Sequence, residues 1–281
     1  MTLTAFILVI SAACFHALWN LVAKRLSGNL GAFWLGLCFI SLMLAPFALF
    51  AAPQGFNSAG LPYIAATGFF HALYFGSLGA AYRHGEISVV YPLARGSSVA
   101  GTAVMAPLLL GERVSALGAL GIGLVCLGIL ALGLWELFKQ QAHFSSILPA
   151  LLVGATTTAY SIVDKRGVGY VSPVIYIAGL STCAALLLAP YVLLKCREQY
   201  RRAWRESKLA CLAIGLGSMG TYLVILFAFQ FANASYVVAV REFSIVVVAL
   251  LGTLVLRESI SLPRGCSILV ILIGVLLVKM S

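Results

Sequence analysis

Apolar runs of about twenty residues recur along the whole 281-residue chain, and they decide what it can fold into. A helix rises 1.5 Å per residue, so about twenty residues cross a hydrocarbon layer ~30 Å thick. Ten such runs can be marked, at about 3–23, 31–52, 62–82, 87–110, 115–137, 146–163, 172–194, 209–231, 235–256 and 262–280. An open chain in lipid must satisfy its backbone groups internally, and these runs lack the alternation of a barrel strand, so helices are expected. The predicted fold is an all-α integral membrane protein with ten transmembrane helices. Composition agrees, since 62% hydrophobic and 9% charged residues, with a mean hydropathy of +1.06, exclude an ordinary soluble globule. The first run has no basic residue ahead of it and no small-residue cleavage site. It also carries His16 and Asn20 and ends in Lys24-Arg25, so it reads as a retained span rather than a leader.

A formal charge of +10 would suggest nucleic acid in a soluble protein. Here most basic residues fall in short connections between spans, which is an orientation signal, and no nucleic-acid partner is expected. Connections after odd-numbered spans hold twelve of the 18 Lys and Arg residues, six of them in 195–208, against four on the other side. That bias predicts a multi-pass protein of the inner (plasma) membrane with both termini outside and 195–208 in the cytoplasm. The seven cysteines are scattered, mostly within apolar runs and without metal-ligand spacing, so they read as packing residues; no metal or cofactor is expected.

The chain also repeats itself. Residues 17–25 of the first span overlay 158–166 of the sixth, both ending in Lys-Arg. With one constant offset, Arg95 falls on Arg241, Glu112 on Glu258 and Ser115 on Ser261. A single-residue gap extends the match back to Ser88 on Ser235. The expected organisation is two five-helix units, 1–140 and 141–281. An odd number of spans per unit inserts the second upside down, the inverted-repeat plan of secondary transporters with a central site near the midplane.

Polar residues within spans single out candidate site residues. An arginine at a span centre costs about 2.5–3.5 kcal/mol on insertion scales, so Arg95 and Arg241 must be accounted for. Each could pair with a carboxylate or a helix carbonyl, and Glu242 is the adjacent acid. Consecutive helix residues diverge by about 100°, however, so Glu242 is poorly placed to neutralise Arg241, and no acid shares the span of Arg95. Two uncompensated guanidinium groups, one from each half, would suit a carboxylate, phosphate or phosphonate, with Glu242 receiving an amine. Pro92 is expected to kink or open the fourth span beside Arg95. His16 and Asn20 share one face of the first span with Trp19 beside them, and can serve substrate or bridge helices. Tyr74 follows His71 in the third span; Tyr160, Ser161 and Asp164 recur at helical spacing in the sixth. Trp19, Asn20, Tyr74, Tyr160 and Ser161 are taken as pocket residues, with His16, Asp164 or Glu242 able to couple protons.

The run Phe15-His16-Ala17-Leu18-Trp19-Asn20-Leu21-Val22-Ala23-Lys24, the ending Gly111-Glu112-Arg113 and the five-plus-five plan resemble the EamA-type members of the drug/metabolite transporter superfamily. The resemblance spans the chain and implies export of amino acids or other small metabolites; some relatives keep their termini in the cytosol, against the charge bias. Tyr91-Pro92-Leu93-Ala94-Arg95-Gly96 also resembles a branch linked to phosphonate utilisation. The resulting expectation is a secondary transporter working by alternating access on a small anionic or zwitterionic cargo such as an amino acid or aminophosphonate. No Gly-x-x-x-x-Gly-Lys-Ser/Thr loop for ATP, His-Glu-x-x-His or Gly-x-Ser-x-Gly motif occurs, so neither ATP as direct driver nor an intramembrane enzyme is favoured. A receptor or assembly factor without transport remains the alternative of a different class.

Overall fold

The computed structural model describes residues 1–23, 29–84, 87–140, 147–256 and 261–281, with backbone alone at 19–23, 52–54, 82–84, 87–88, 136–140, 252 and 254–256. Among them are twelve α-helices: α1 Leu3–Ala23, α2 Leu30–Gly55, α3 Leu61–His84, α4 Ile87–Leu110, α5 Ala116–Gln140, α6 Ile147–Gly167, α7 Pro173–Lys195, α8 Arg197–Glu206, α9 Lys208–Phe231, α10 Ala234–Arg241, α11 Phe243–Leu256 and α12 Leu262–Met280. Ten membrane spans result, because α10 and α11 are two pieces of the ninth and α8 is too short and too charged to cross. The Asn29 side chain caps α2 by accepting from the Ala32 amide at 3.0 Å.

Polarity runs inside out, as lipid as solvent demands. Phe50, Leu194 and Leu209 are 91%, 79% and 83% exposed, while Arg95, Asp164, Arg241 and Glu242 are all buried. Within the spans, large apolar side chains stand on the outer surface, and these four charged ones lie against other helices.

The packing obeys the exchange of halves that takes α1 to α6, α2 to α7, α3 to α9, α4 to α10–α11 and α5 to α12. The contact α1·α9 maps onto α3·α6, α4·α6 onto α1·α10 and α1·α11, α3·α7 onto α2·α9, and α2·α7 and α5·α12 map onto themselves. The chain is therefore two inverted five-helix repeats whose helices interleave. The α5·α12 seam shows why small residues are needed. A Cβ on Gly121 would lie 2.7 Å from the Gly274 carbonyl oxygen, and one on Gly274 2.6 Å from that of Gly121, so the backbones meet only because both are glycine.

Two expectations need correction. Pro92 does not open the fourth span: α4 is helical from Ile87 to Leu110, and the proline ring sits over Gly133, where an added Cβ would be only 3.1 Å away. The opening lies in the ninth span instead. The connection 195–208, read as a basic loop, contains the ten-residue helix α8.

Candidate functional site

The ninth span breaks at its two charged residues. Arg241 ends α10, Glu242 occupies a turn with φ −69° and ψ −8°, and α11 starts at Phe243. The Glu242 amide donates back to the Ala239 carbonyl at 3.1 Å, a short-range bond that closes one helix before the next begins. Charge-bearing breaks of this kind are where inverted-repeat transporters expose polar groups at membrane depth. The break also sends the two side chains different ways.

Glu242 crosses to the other repeat. Its Oε2 accepts from Arg95 Nε at 2.9 Å and its Oε1 from Arg95 Nη2, a two-point pair with the carboxylate fully buried. The Arg95 guanidinium also lies 5.9 Å from the centre of the Tyr91 ring. Arg95 is thus compensated, contrary to the reading of two free guanidinium groups, and both Glu242 oxygens are occupied rather than free for an amine. The partner lies 147 residues away on another span.

Arg241 is different. It is 5% exposed, and its Nε and Nη2 have no hydrogen-bond partner among the described residues. Buried donors are nearly always satisfied, and a buried cation left with open donors is the kind of group that awaits an anion. The charge of Arg241 acts on His16, His71, Tyr74, Tyr91 and Tyr222, which places these side chains around it.

An aromatic wall continues from there. His71 stacks on Tyr160 at 4.2 Å and meets Tyr222 edge-on at 5.2 Å, and Tyr160 meets Tyr74 at 5.8 Å and Tyr222 at 5.5 Å. The His71 ring is aimed by its Nδ1, which lies 2.9 Å from the Thr67 carbonyl oxygen and 3.1 Å from the Thr67 hydroxyl. Beyond Tyr222, its hydroxyl and that of Tyr176, the latter at 2.9 Å, donate to the two oxygens of Asp164. Asp164 is fully buried, and no cation lies within ion-pair distance of it among the described residues.

The structure brings together Arg95, Arg241, Glu242, His16, Tyr74 and Tyr160. Ser161 is fully buried, and its hydroxyl donates to the Thr157 carbonyl of its own helix at 2.7 Å. The side chains of Trp19 and Asn20 lie outside the described residues. Tyr222, Tyr91 and Tyr176 were missed. Tyr222 and Tyr176 stand alone in apolar context with no repeated pattern, whereas Tyr91 lies one helical turn before Arg95 and could have been found from that spacing.

The end of the bundle that carries both termini is tied across the repeats. The Glu112 carboxylate accepts from the amides of Ala234 at 2.5 Å and Ser235 at 3.2 Å and from the Ser235 hydroxyl at 2.8 Å, capping α10. At the end of α6, Lys165 donates within the second repeat to the carbonyls of Phe229 and, at 2.9 Å, Ala232, while Arg166 crosses to that of Leu109 in the first. The terminal ammonium of Met1 donates to the Ser281 carbonyl at 2.8 Å.

The chain is similar over its whole length to a solved structure described only as a crystal structure of protein. The TM-score is 0.76 at 16% identity, covering 100% of this chain and 98% of that one, which shows a shared fold. No curated protein matches. The EamA-like transporter family matches twice, over residues 3–134 and 144–280. With two family units covering nearly the whole sequence, the chain belongs to the EamA-like transporter family, membrane transporters of the drug/metabolite type.

Proposed function

We propose that the protein is a secondary transporter that carries a small anionic or net-negative zwitterionic metabolite, with Arg241 as the anion-binding group. The observation that carries this reading is the buried Arg241 guanidinium, whose Nε and Nη2 have no partner among the described residues, at the break in the ninth span. Arg95 and Glu242 neutralise each other, which leaves Arg241 as the guanidinium to pair with an anionic group of the cargo. A carboxylate, phosphonate or phosphate ester fits the guanidinium fork. His71, Tyr74, Tyr160 and Tyr222 supply an aromatic wall, so an aminophosphonate-like or amino-acid cargo would place its carbon skeleton there. The inverted repeats support alternating access, with the halves rocking about the break.

Asp164 is the proposed coupling residue. It is the described intramembrane acid without a cation partner, and it reaches the Arg241 wall through Tyr222.

The test is thermal stabilisation of the purified protein by a panel of small carboxylates, amino acids, phosphate esters and phosphonates, followed by flux in liposomes. A ligand that binds only the native state raises the melting temperature. Stabilisation by an anionic compound that disappears in Arg241→Ala supports the reading. Stabilisation by neutral or cationic compounds alone, unchanged in Arg241→Ala, overturns the cargo class. Ligand binding without any flux would point to a receptor instead.

A further inference from the structure

Helix α8 is separated from the end of α7 and the start of α9 by one residue on each side. Both neighbours cross the bilayer, so a ten-residue helix tethered this closely to their ends lies at the membrane–water boundary. Its inner face is fixed. Tyr200 meets Trp34 edge-on at 5.8 Å, Trp204 stacks on Phe39 at 5.7 Å, and Ala203 is buried against α2 and α9 beside Ala32, Leu35 and Cys211. Gly31 admits the helix, because a Cβ there would lie 2.5 Å from the Tyr200 nitrogen.

With that face anchored, the row of residues flanking it is presented in a set direction. Arg197, Arg201 and Arg205, at i, i+4 and i+8, form one exposed row. Arg202 is held at 2.8 Å by Glu206, so the row beside it keeps its charge free of that acid. Arg201, Arg202 and Arg205 line a shallow polar cleft with Glu198 and Glu206. Apolar groups border the row: Trp204 is 44% exposed, with Lys208 Nζ 4.9 Å from its ring centre, and Leu194 and Leu209 on either side are among the most exposed leucines.

We propose that α8 is a binding site for anionic phospholipid headgroups, in which Arg197, Arg201 and Arg205 engage the phosphodiester while Trp204 sits at the level of the glycerol. Cationic side chains continuous with a lipid-facing apolar surface match an amphiphile that is anionic at its head, and a soluble phosphate would gain nothing from Trp204, Leu194 or Leu209. Orienting the chain during insertion needs basic residues but not a packed helix that aims them.

The test uses the full, delipidated protein in neutral detergent, with retained lipid counted by native mass spectrometry. Phosphatidylglycerol, phosphatidylcholine and glycerol phosphate are titrated against the native chain and an Arg197→Gln/Arg201→Gln/Arg205→Gln variant. The expected result is a preference of roughly tenfold or more for phosphatidylglycerol over phosphatidylcholine, falling to about one in the variant. Equal retention of the two lipids by the native chain overturns the proposal, as does a preference that survives in the variant. Glycerol phosphate competing as well as the intact lipid makes this a soluble-anion site and overturns the lipid assignment. Should the variant fail to fold, salt decides on the native chain: the preference must collapse by about 1 M, where surface charge is screened, and persistence there sinks the idea. None of these readings depends on Arg241 or on transport.

Discussion

The Glu242 carboxylate is gripped at both oxygens by Arg95, so the two repeats are joined at their charged midpoints by one buried ion pair. Removing one partner of such a pair strands the other charge, and the expected loss is about 3–5 kcal/mol. Arg95→Met and Glu242→Gln should each lower the melting temperature of the purified protein sharply, and the double variant should recover most of that loss. Additive losses in the double variant would show that the two residues act independently.

Arg241 should behave in the opposite sense. Its Nε and Nη2 lack a partner among the described residues, so Arg241→Met is expected to leave the ligand-free protein as stable as the parent or more so. Anion-induced stabilisation should vanish. Arg241→Lys keeps the charge but loses the planar fork, and binding should weaken by about tenfold or more, since a hydrogen bond to a charged group contributes about 1.5–3 kcal/mol. Ligand titrations on the three proteins measure both effects, and unchanged affinity in Arg241→Lys would remove the fork from the argument.

The contrast between the two arginines marks where the sequence stopped being readable. Span positions follow from apolar length alone, and the fold follows from the repeat, because a lipid solvent leaves few alternatives. The offset from Arg95 to Arg241 made them look equivalent. Their difference depends on which arginine Glu242 reaches, a tertiary contact across 147 residues that no local spacing encodes. The break at Glu242 was equally silent: Ala239-Val240-Arg241-Glu242-Phe243 contains neither Gly nor Pro, whereas Pro92, the visible helix breaker, is absorbed within α4. Helix α8 was legible in principle, since Arg197–Glu206 is mostly good helix formers with an acid in the first turn and Arg202 four residues before Glu206.

Asp164 provides a separation between binding and coupling. Asn keeps an acceptor for Tyr222 and Tyr176 but cannot gain or lose a proton. Asp164→Asn should retain exchange of labelled for unlabelled cargo across a liposome membrane while losing accumulation driven by a pH gradient. Equal loss of both activities, accompanied by a lower melting temperature, would make the residue a structural anchor between α6, α7 and α9. Tyr222→Phe removes one donor and should shift the pH dependence of driven transport without abolishing exchange.

The Glu112 cap on α10 predicts local loosening rather than global collapse. Glu112→Ala leaves the Ala234 and Ser235 amides without their acceptor, and loss of a helix N-cap is worth about 1 kcal/mol. A local opening free energy lowered by that much speeds amide exchange by about fivefold. Hydrogen exchange followed by mass spectrometry should show the first turn of α10 exchanging faster in the variant, with α7 unchanged. Because α10 carries Arg241 at its other end, the same loosening should weaken anion binding. If α10 exchanges at the parental rate in Glu112→Ala, the carboxylate is not what holds the tip of the broken span against the opposite repeat.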